Sequence, residues 1–198
     1  MKVIGVTGSY KSGKSTVSRM FWELGARIID ADKMGHEALL PQKETYERVV
    51  TVFGRGILDK SGRIDRKKLA AIVFSNAGRL NKLNKIIHPE VIGRIKNEIA
   101  EAKIEVPQPV IIVEAPLLYE AGITRMMSKI IVVDLSYERQ IKRAFESGIG
   151  SQGEIKERIS SQMPLDEKKR LADFIINNNG SMEETKRQVE TIWKKIKE

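Results

Sequence analysis

Apolar residues follow two rhythms along this chain. Short, nearly unbroken runs rich in Val and Ile stand at Val3-Ile4-Gly5-Val6-Thr7, Arg27 to Asp30, Val110 to Glu114, Lys129 to Asp134 and Phe174 to Asn177. Each has strand length and the β-branched content that suits a pleated surface. Polar residues do not alternate through these runs, so both faces of the strands should be covered, as in a parallel sheet with helices on either side. The predicted fold class is α/β, a doubly wound five-stranded parallel sheet.

The second rhythm, with apolar residues three and four apart, fills the stretches between. From Ala31 to Lys103 there is no strand signal, and the segment is too long for a simple crossover. Helices are predicted after Asp32, over Lys43 to Phe53, around Leu69 to Phe74 and over Arg79 to Ala102, with a Gly-rich turn before the third. Proline disfavours helical geometry in the residue before it, so His88-Pro89 should interrupt the last of these. We take residues 31–103 as an all-helical lobe inserted for substrate. A second insertion, residues 136–171, has helical patterns at Arg139 to Glu146 and Glu154 to Gln162, joined by a turn with Gly148, Gly150, Ser151 and Gly153, and resembles a lid. The core is then 1–30, 104–135 and 172–198. Its last helix opens on the capping box Ser181-Met182-Glu183-Glu184 and should bury Val189, Ile192 and Ile196.

A chain of 198 residues suits one domain with inserted lobes. It has no cysteine, which excludes thiol redox chemistry, thiolate metal sites and a disulfide framework. No apolar run approaches the roughly 18 residues a spanning helix needs. The opening apolar stretch is short, carries no cleavage pattern and runs into Lys11 and Lys14, so we expect a cytoplasmic protein with no membrane partner. Lys plus Arg (35) exceeds Asp plus Glu (26), a net charge of +9 that favours anionic partners. The basic residues are scattered and aromatics are only 6%, so polyphosphate ligands are expected rather than nucleic acid.

The first run leads into Gly8-Ser9-Tyr10-Lys11-Ser12-Gly13-Lys14-Ser15, followed by Thr16, which fits G-x-x-x-x-G-K-[ST] in full. Gly8 and Gly13 let the backbone turn its N–H groups inward around phosphate oxygens, and a helix starting near Lys14 adds its positive end. Lys14 can reach the terminal phosphates and Ser15 can ligate Mg²⁺. A nucleoside triphosphate site follows.

Other constellations carry two readings each. Asp30-Ala31-Asp32 closes the second strand, where carboxyl ends line the ligand crevice. A carboxylate there accepts a substrate proton, or Asp32 caps the next helix. Asp32-Lys33-Met34-Gly35 also fits the D-x-x-G of GTPases, but it follows the loop too soon, and Asn81-Lys82-Leu83-Asn84 lacks the aspartate of N-K-x-D. Gly62-Arg63-Ile64-Asp65-Arg66 offers two guanidinium forks to phosphate, or a helix start capped by Asp65 with solvated arginines. Glu114, among apolar neighbours, holds Mg²⁺ through water or orients substrate, or simply ends a strand. In the lid, Arg139, Arg143 and Arg158 are candidates to fold over a triphosphate. His36 and His88 have no partner at metal-ligand spacing and count as structural on this basis.

Together these segments resemble the dephospho-CoA kinases, a family of P-loop kinases. The resemblance runs through Gly-Val-Thr-Gly (5–8), Ser-Gly-Lys-Ser-Thr (12–16), Leu-Gly-Ala-Arg-Ile-Ile-Asp-Ala-Asp (24–32) and Gly-Arg-Ile-Asp-Arg (62–66). It continues through Ile-His-Pro (87–89), Pro-Leu-Leu-Tyr-Glu (116–120), Arg-Ile-Ser-Ser-Gln (158–162) and Ala-Asp-Phe-Ile-Ile-Asn-Asn (172–178). It implies a P-loop kinase fold and transfer of the γ-phosphoryl of ATP, with Mg²⁺, to the ribose 3'-hydroxyl of dephospho-CoA. Asp32 matches the catalytic aspartate. Gly8, Lys11, Ser12, Gly13, Lys14, Ser15 and Thr16 form the ATP loop, Ser15 ligates Mg²⁺, Arg143 and Arg158 make lid contacts, and Asn178 lies near the adenine. The helical lobe with Arg63, Arg66 and His88, together with Pro116 and Leu117, receives dephospho-CoA. A monomer or weak homo-oligomer is expected.

Two departures stand out. The family's loop is richer in glycine than Ser9-Tyr10-Lys11, which places Lys11 at the mouth of the site. After Arg143, where the family commonly has a second arginine, this chain has Ser147 and Gly148. The alternatives to this assignment are a kinase for another small acceptor, such as a nucleotide or a shikimate-like alcohol, and a nucleotide-dependent protein acting on nucleic acid.

Overall fold

The computed structural model describes residues 1–148 and 151–198, so Gly150 of the predicted lid turn lies outside the described residues. Five strands, β1 (Val3–Gly8), β2 (Arg27–Asp30), β3 (Ile111–Glu114), β4 (Lys129–Asp134) and β5 (Phe174–Asn177), form one sheet in the order β2-β3-β1-β4-β5. Every pairing is parallel. All six residues of β1 are buried, and since successive side chains point to opposite faces, both faces of the sheet centre are covered. The strands match the apolar runs because a central parallel strand has no solvent face on which to place polar residues.

One face packs on α1 (Lys14–Glu23) and α9 (Met182–Lys197) through Ile4, Val6, Val17, Phe21, Ile112, Ile131, Val133, Ile176, Val189 and Ile192. The Phe21 and Trp193 rings meet with centroids 6.1 Å apart, a tilted arrangement aromatic quadrupoles favour. On the other face Leu118 Cδ1 stands 2.5 Å from where a Gly5 side chain would begin, so a larger residue there would force the buried Leu118 to move. Ser181 caps α9 reciprocally with Glu184, as the sequence predicts.

The chain divides into two compact units, residues 1–30 with 97–198, and residues 31–96. The second unit is helical: α2 (Ala31–Ala38), α3 (Glu44–Phe53), α4 (Arg66–Phe74) and the first part of α5 (Ala77–Lys103). It has its own core of Tyr46, Val49, Ile57, Ile64, Leu69, Val73, Leu83 and Ile86. The predicted break at His88-Pro89 is absent, and α5 runs through it unbroken. Proline removes one hydrogen bond, to the carbonyl of Lys85, but Lys85 and Pro89 both lie on the exposed side of the helix while Ile86, Val91 and Ile95 are buried. Burial on one face thus outweighs a missing bond on the wet one.

Three helices precede β5: α6 (Tyr137–Glu146), α7 (Gln152–Ser160) and the short α8 (Leu165–Arg170), the last not foreseen in the sequence. Among the described residues, no helix is long and apolar enough to cross a membrane.

Candidate functional site

The sheet order makes β1 the topological switch point, since the chain leaves β1 for β2 on one side of it and later crosses from β3 to β4 on the other. Ligands in open parallel sheets bind there, outside the strand carboxyl ends. The segment Gly8 to Lys14 fills that position between β1 and α1. Gly13 precedes α1 with φ 97°, a left-handed conformation suited to glycine, and no side chain caps the helix. A helix N-terminus that no side chain caps presents its first amides and the positive end of its dipole, which makes an anion the favoured ligand. Lys14 is buried, with Nζ donating to the carbonyls of Gly8 (3.3 Å) and Ser9 (3.0 Å), so the ammonium lies across the loop. Thr16 stands in the first turn of α1, half-buried.

Side chains from far along the chain fix this loop. Ser9 Oγ donates to Gln140 Oε1 (2.6 Å), whose Nε2 donates to the Leu135 carbonyl (2.6 Å). Asn178 Nδ2 donates to the Ser12 carbonyl (2.8 Å), and Thr185 Oγ1 donates to Asn178 Oδ1 (3.0 Å). Asn178 was expected beside adenine. It is buried, with both ends of its amide engaged by protein, and it ties the loop to the residues that follow β5. A side chain at Gly13 would collide with Asn178 Nδ2 and come within 3.2 Å of Arg143 Nη1, which places the Arg143 guanidinium at the loop. Lys11 is half-buried in the left-handed region (φ 59°), with Nζ 5.9 Å from the Tyr10 ring centroid. Arg158 of α7 also meets Tyr10.

Beside the loop stand two carboxylates. Asp30 and Glu114 are register partners at the carboxyl ends of β2 and β3, and Glu114 Oε1 accepts from Ser15 Oγ at 2.6 Å. Burial pushes the Glu114 carboxyl above the usual range, and the neighbouring Asp30 charge adds to this; the Ser15 hydroxyl and Lys14 pull it back. After β3, the Pro116 carbonyl accepts from Thr7 Oγ1 (3.3 Å) and from the fully buried Lys168 Nζ (2.6 Å), which also pairs with Glu120 at 2.9 Å. Pro116 and Leu117 are half-buried.

The other predicted residues lie in the helical unit. Asp32 is exposed in the first turn of α2. Arg63 is exposed on a tight turn shaped by Asp59 Oδ1, which accepts from the amides of Ser61 (2.8 Å) and Arg63 (3.0 Å). Asp65 caps α4 through the amides of Lys67 and Lys68. Arg66 does not simply point to solvent: Nη2 lies 2.6 Å from His36 Nε2. A guanidinium only donates, so Nε2 accepts and the ring carries its proton on Nδ1. His88 is half-buried within α5.

A family model described as dephospho-CoA kinase matches residues 2–184. The chain belongs to the dephospho-CoA kinase family. The dephospho-CoA kinase of Carboxydothermus hydrogenoformans is 44% identical over 197 residues, covering 100% of this chain and 95% of the relative. A crystal structure of TT1252 from Thermus thermophilus superposes with TM-score 0.78 at 31% identity, over 98% of this chain and 97% of that one. The dephospho-CoA kinase from Campylobacter jejuni gives TM-score 0.70 at 31% identity, over 99% and 98%. The fold is that of the P-loop kinases.

For a kinase family the donor set beside the loop is informative. Among the described residues no cluster of three His, Asp or Glu could hold a metal alone. Mg²⁺ on a nucleotide needs less, because phosphates and water fill most of its octahedron and one or two protein oxygens suffice. Ser15 and Glu114 supply oxygens only, and a buried carboxylate of raised pKa is one a divalent cation would help ionise. The residues present fit the ion. Sequence reasoning missed Gln140, Thr185 and Lys168. Gln140 had a signal, since it shares the inward face of α6 with Ala144 four residues on, a polar residue in an apolar stripe.

Proposed function

We propose that the chain transfers the γ-phosphoryl of ATP to the ribose 3'-hydroxyl of dephospho-CoA, giving coenzyme A and ADP. The observation that carries this is the phosphate loop itself, uncapped at α1 and fixed by Asn178 and Gln140, in a chain of the dephospho-CoA kinase family. The loop amides and Lys14 bind the β- and γ-phosphates, with Lys14 exchanging the Gly8 and Ser9 carbonyls for phosphate oxygens. Ser15 and Glu114 hold Mg²⁺, directly or through water, and Mg²⁺ when bound neutralises charge on the phosphates. Arg143 and Arg158 add positive charge beside the negative charge on the oxygens of the transferring group. Asp32 accepts the proton as the 3'-oxygen bonds to the γ-phosphorus and the bond to the β-phosphate oxygen breaks. Arg63, Arg66 and His88, with Pro116 and Leu117, contact dephospho-CoA in this reading.

The test is acceptor preference. With Mg-ATP supplied, ADP release should be fastest with dephospho-CoA, and AMP and nucleosides should be poor acceptors. A preference for either of these overturns the assignment.

A further inference from the structure

Tyr10 occupies the middle of the phosphate loop, and no step above uses it. Its phenol accepts a hydrogen bond from Arg158 Nη1 at 3.2 Å, and the Arg158 guanidinium carbon lies 5.0 Å from the ring centroid. The Lys11 ammonium stands 5.9 Å from the same centroid. One ring thus engages two cations, one from its own loop and one from α7. The two partners of the main contact are 148 residues apart, both half-buried, and both belong to the sheet-containing unit.

Each end of the contact is independently fixed. The loop is tied by Ser9 to Gln140 and by Ser12 to Asn178. On the other side, α7 begins with a reciprocal capping box of Ser151 and Glu154, and Ile155 is buried beneath it. Arg158 follows Ile155 by three positions, on the same side of the helix. Glycine at position 10 could make neither contact, and an aliphatic side chain could offer neither an acceptor nor a π face. Tyrosine offers both. A planar guanidinium carries five donors in a fixed fork, so spending one on a phenol sets the direction of the others.

We propose that Tyr10 is a positioning residue that holds Arg158 over the phosphate loop before nucleotide arrives, so that the arginine meets the triphosphate without first being ordered. This rests on the reading of Arg158 as a triphosphate contact. The benefit is preorganisation: an arginine side chain otherwise loses rotamer freedom on binding, and the ring bears that loss in the free protein. The loop thereby carries its own catch for the lid arginine.

The experiment is a double-mutant cycle on ATP kinetics with dephospho-CoA saturating. Tyr10→Ala should lower kcat/KM for ATP about tenfold, mainly through KM, and Tyr10→Phe about threefold because the π face survives while the hydrogen bond is lost. Arg158→Ala should lower it at least as much as Tyr10→Ala, and adding Tyr10→Ala to it should cost almost nothing more. The KM for dephospho-CoA should stay constant in Tyr10→Ala and Tyr10→Phe, which a general loosening of the fold would not allow. Wild-type ATP kinetics in Tyr10→Ala with an impaired Arg158→Ala overturns the proposal alone, as do additive losses or tighter ATP binding without Tyr10. Wild-type kinetics in Arg158→Ala overturns the reading beneath it as well.

Discussion

The phosphate loop and the helical unit of residues 31–96 carry their candidate chemistry in opposite ways. In the loop the working groups are backbone amides and one buried lysine, and side chains 131 and 166 positions away fix the backbone in place. In the helical unit the candidates are side chains, Asp32, Arg63 and Arg66, on exposed positions shaped by nearby turns and caps. Phosphate recognition by amides demands a fixed backbone, because a displaced peptide withdraws its donor. An acceptor as long as dephospho-CoA asks for side chains that can adjust. Stability and chemistry should therefore be tightly joined in the first region and separable in the second.

The largest test of that separation is Asp32→Asn. Loss of a general base costs roughly 10²- to 10⁴-fold in turnover, whereas asparagine at an exposed first-turn position should cost under about 1 kcal/mol of stability. Turnover should collapse while ATP affinity and the thermal midpoint stay close to wild type. Retained turnover, measured by ADP release, would leave Asp32 only as a favourable charge in the first turn of α2. Asn178→Ala is the counterpart. It removes the bond to Ser12 and leaves the buried Thr185 hydroxyl without that acceptor, for a loss of about 1–3 kcal/mol in unfolding free energy. The KM for ATP should rise in the same variant. A destabilised protein with unchanged ATP binding would show that the loop holds its shape without Asn178.

How much of this was legible in the sequence follows the same division. The central strands could be read because a strand buried on both faces must be written in Val and Ile, the edge strands β2 and β5 by their short Ile-rich runs although they are only partly buried, and the loop because amides around phosphate need Gly8 and Gly13 at fixed spacing. The caps at Asp65 and Ser181 could be read because their partners lie two or three residues away. The ties were not. Asn178 to Ser12 and Gln140 to Ser9 join polar residues whose proximity exists only once β1, β4 and β5 are side by side. The break at Pro89 was wrongly expected because local geometry opposes a helix there, while burial of Ile86 and Val91 favours it and was invisible to the local rule. Lys168 was missed for a similar reason: it stands in the polar run Lys168-Lys169-Arg170, yet it is fully buried against Glu120 and Pro116.

The smallest expected effect is also the sharpest test of what shapes the loop. Lys11 sits at φ 59°, where a residue with a Cβ costs about 1 kcal/mol or somewhat more than glycine. Lys11→Gly removes that strain but gives the unfolded chain roughly 0.5–1 kcal/mol more entropy to lose on folding. It also removes the ammonium from the Tyr10 ring, worth about 0.5–1 kcal/mol at a partly exposed site. These terms nearly cancel, so urea unfolding of Lys11→Gly should fall within about 1 kcal/mol of wild type. Lys11→Ala separates them, since it keeps the strained backbone and loses the cation, and it should be the less stable of the two. If instead Lys11→Gly loses much more than Lys11→Ala, a rigid residue at this position shapes the loop, and the buried ties from Gln140 and Asn178 are not sufficient to hold it.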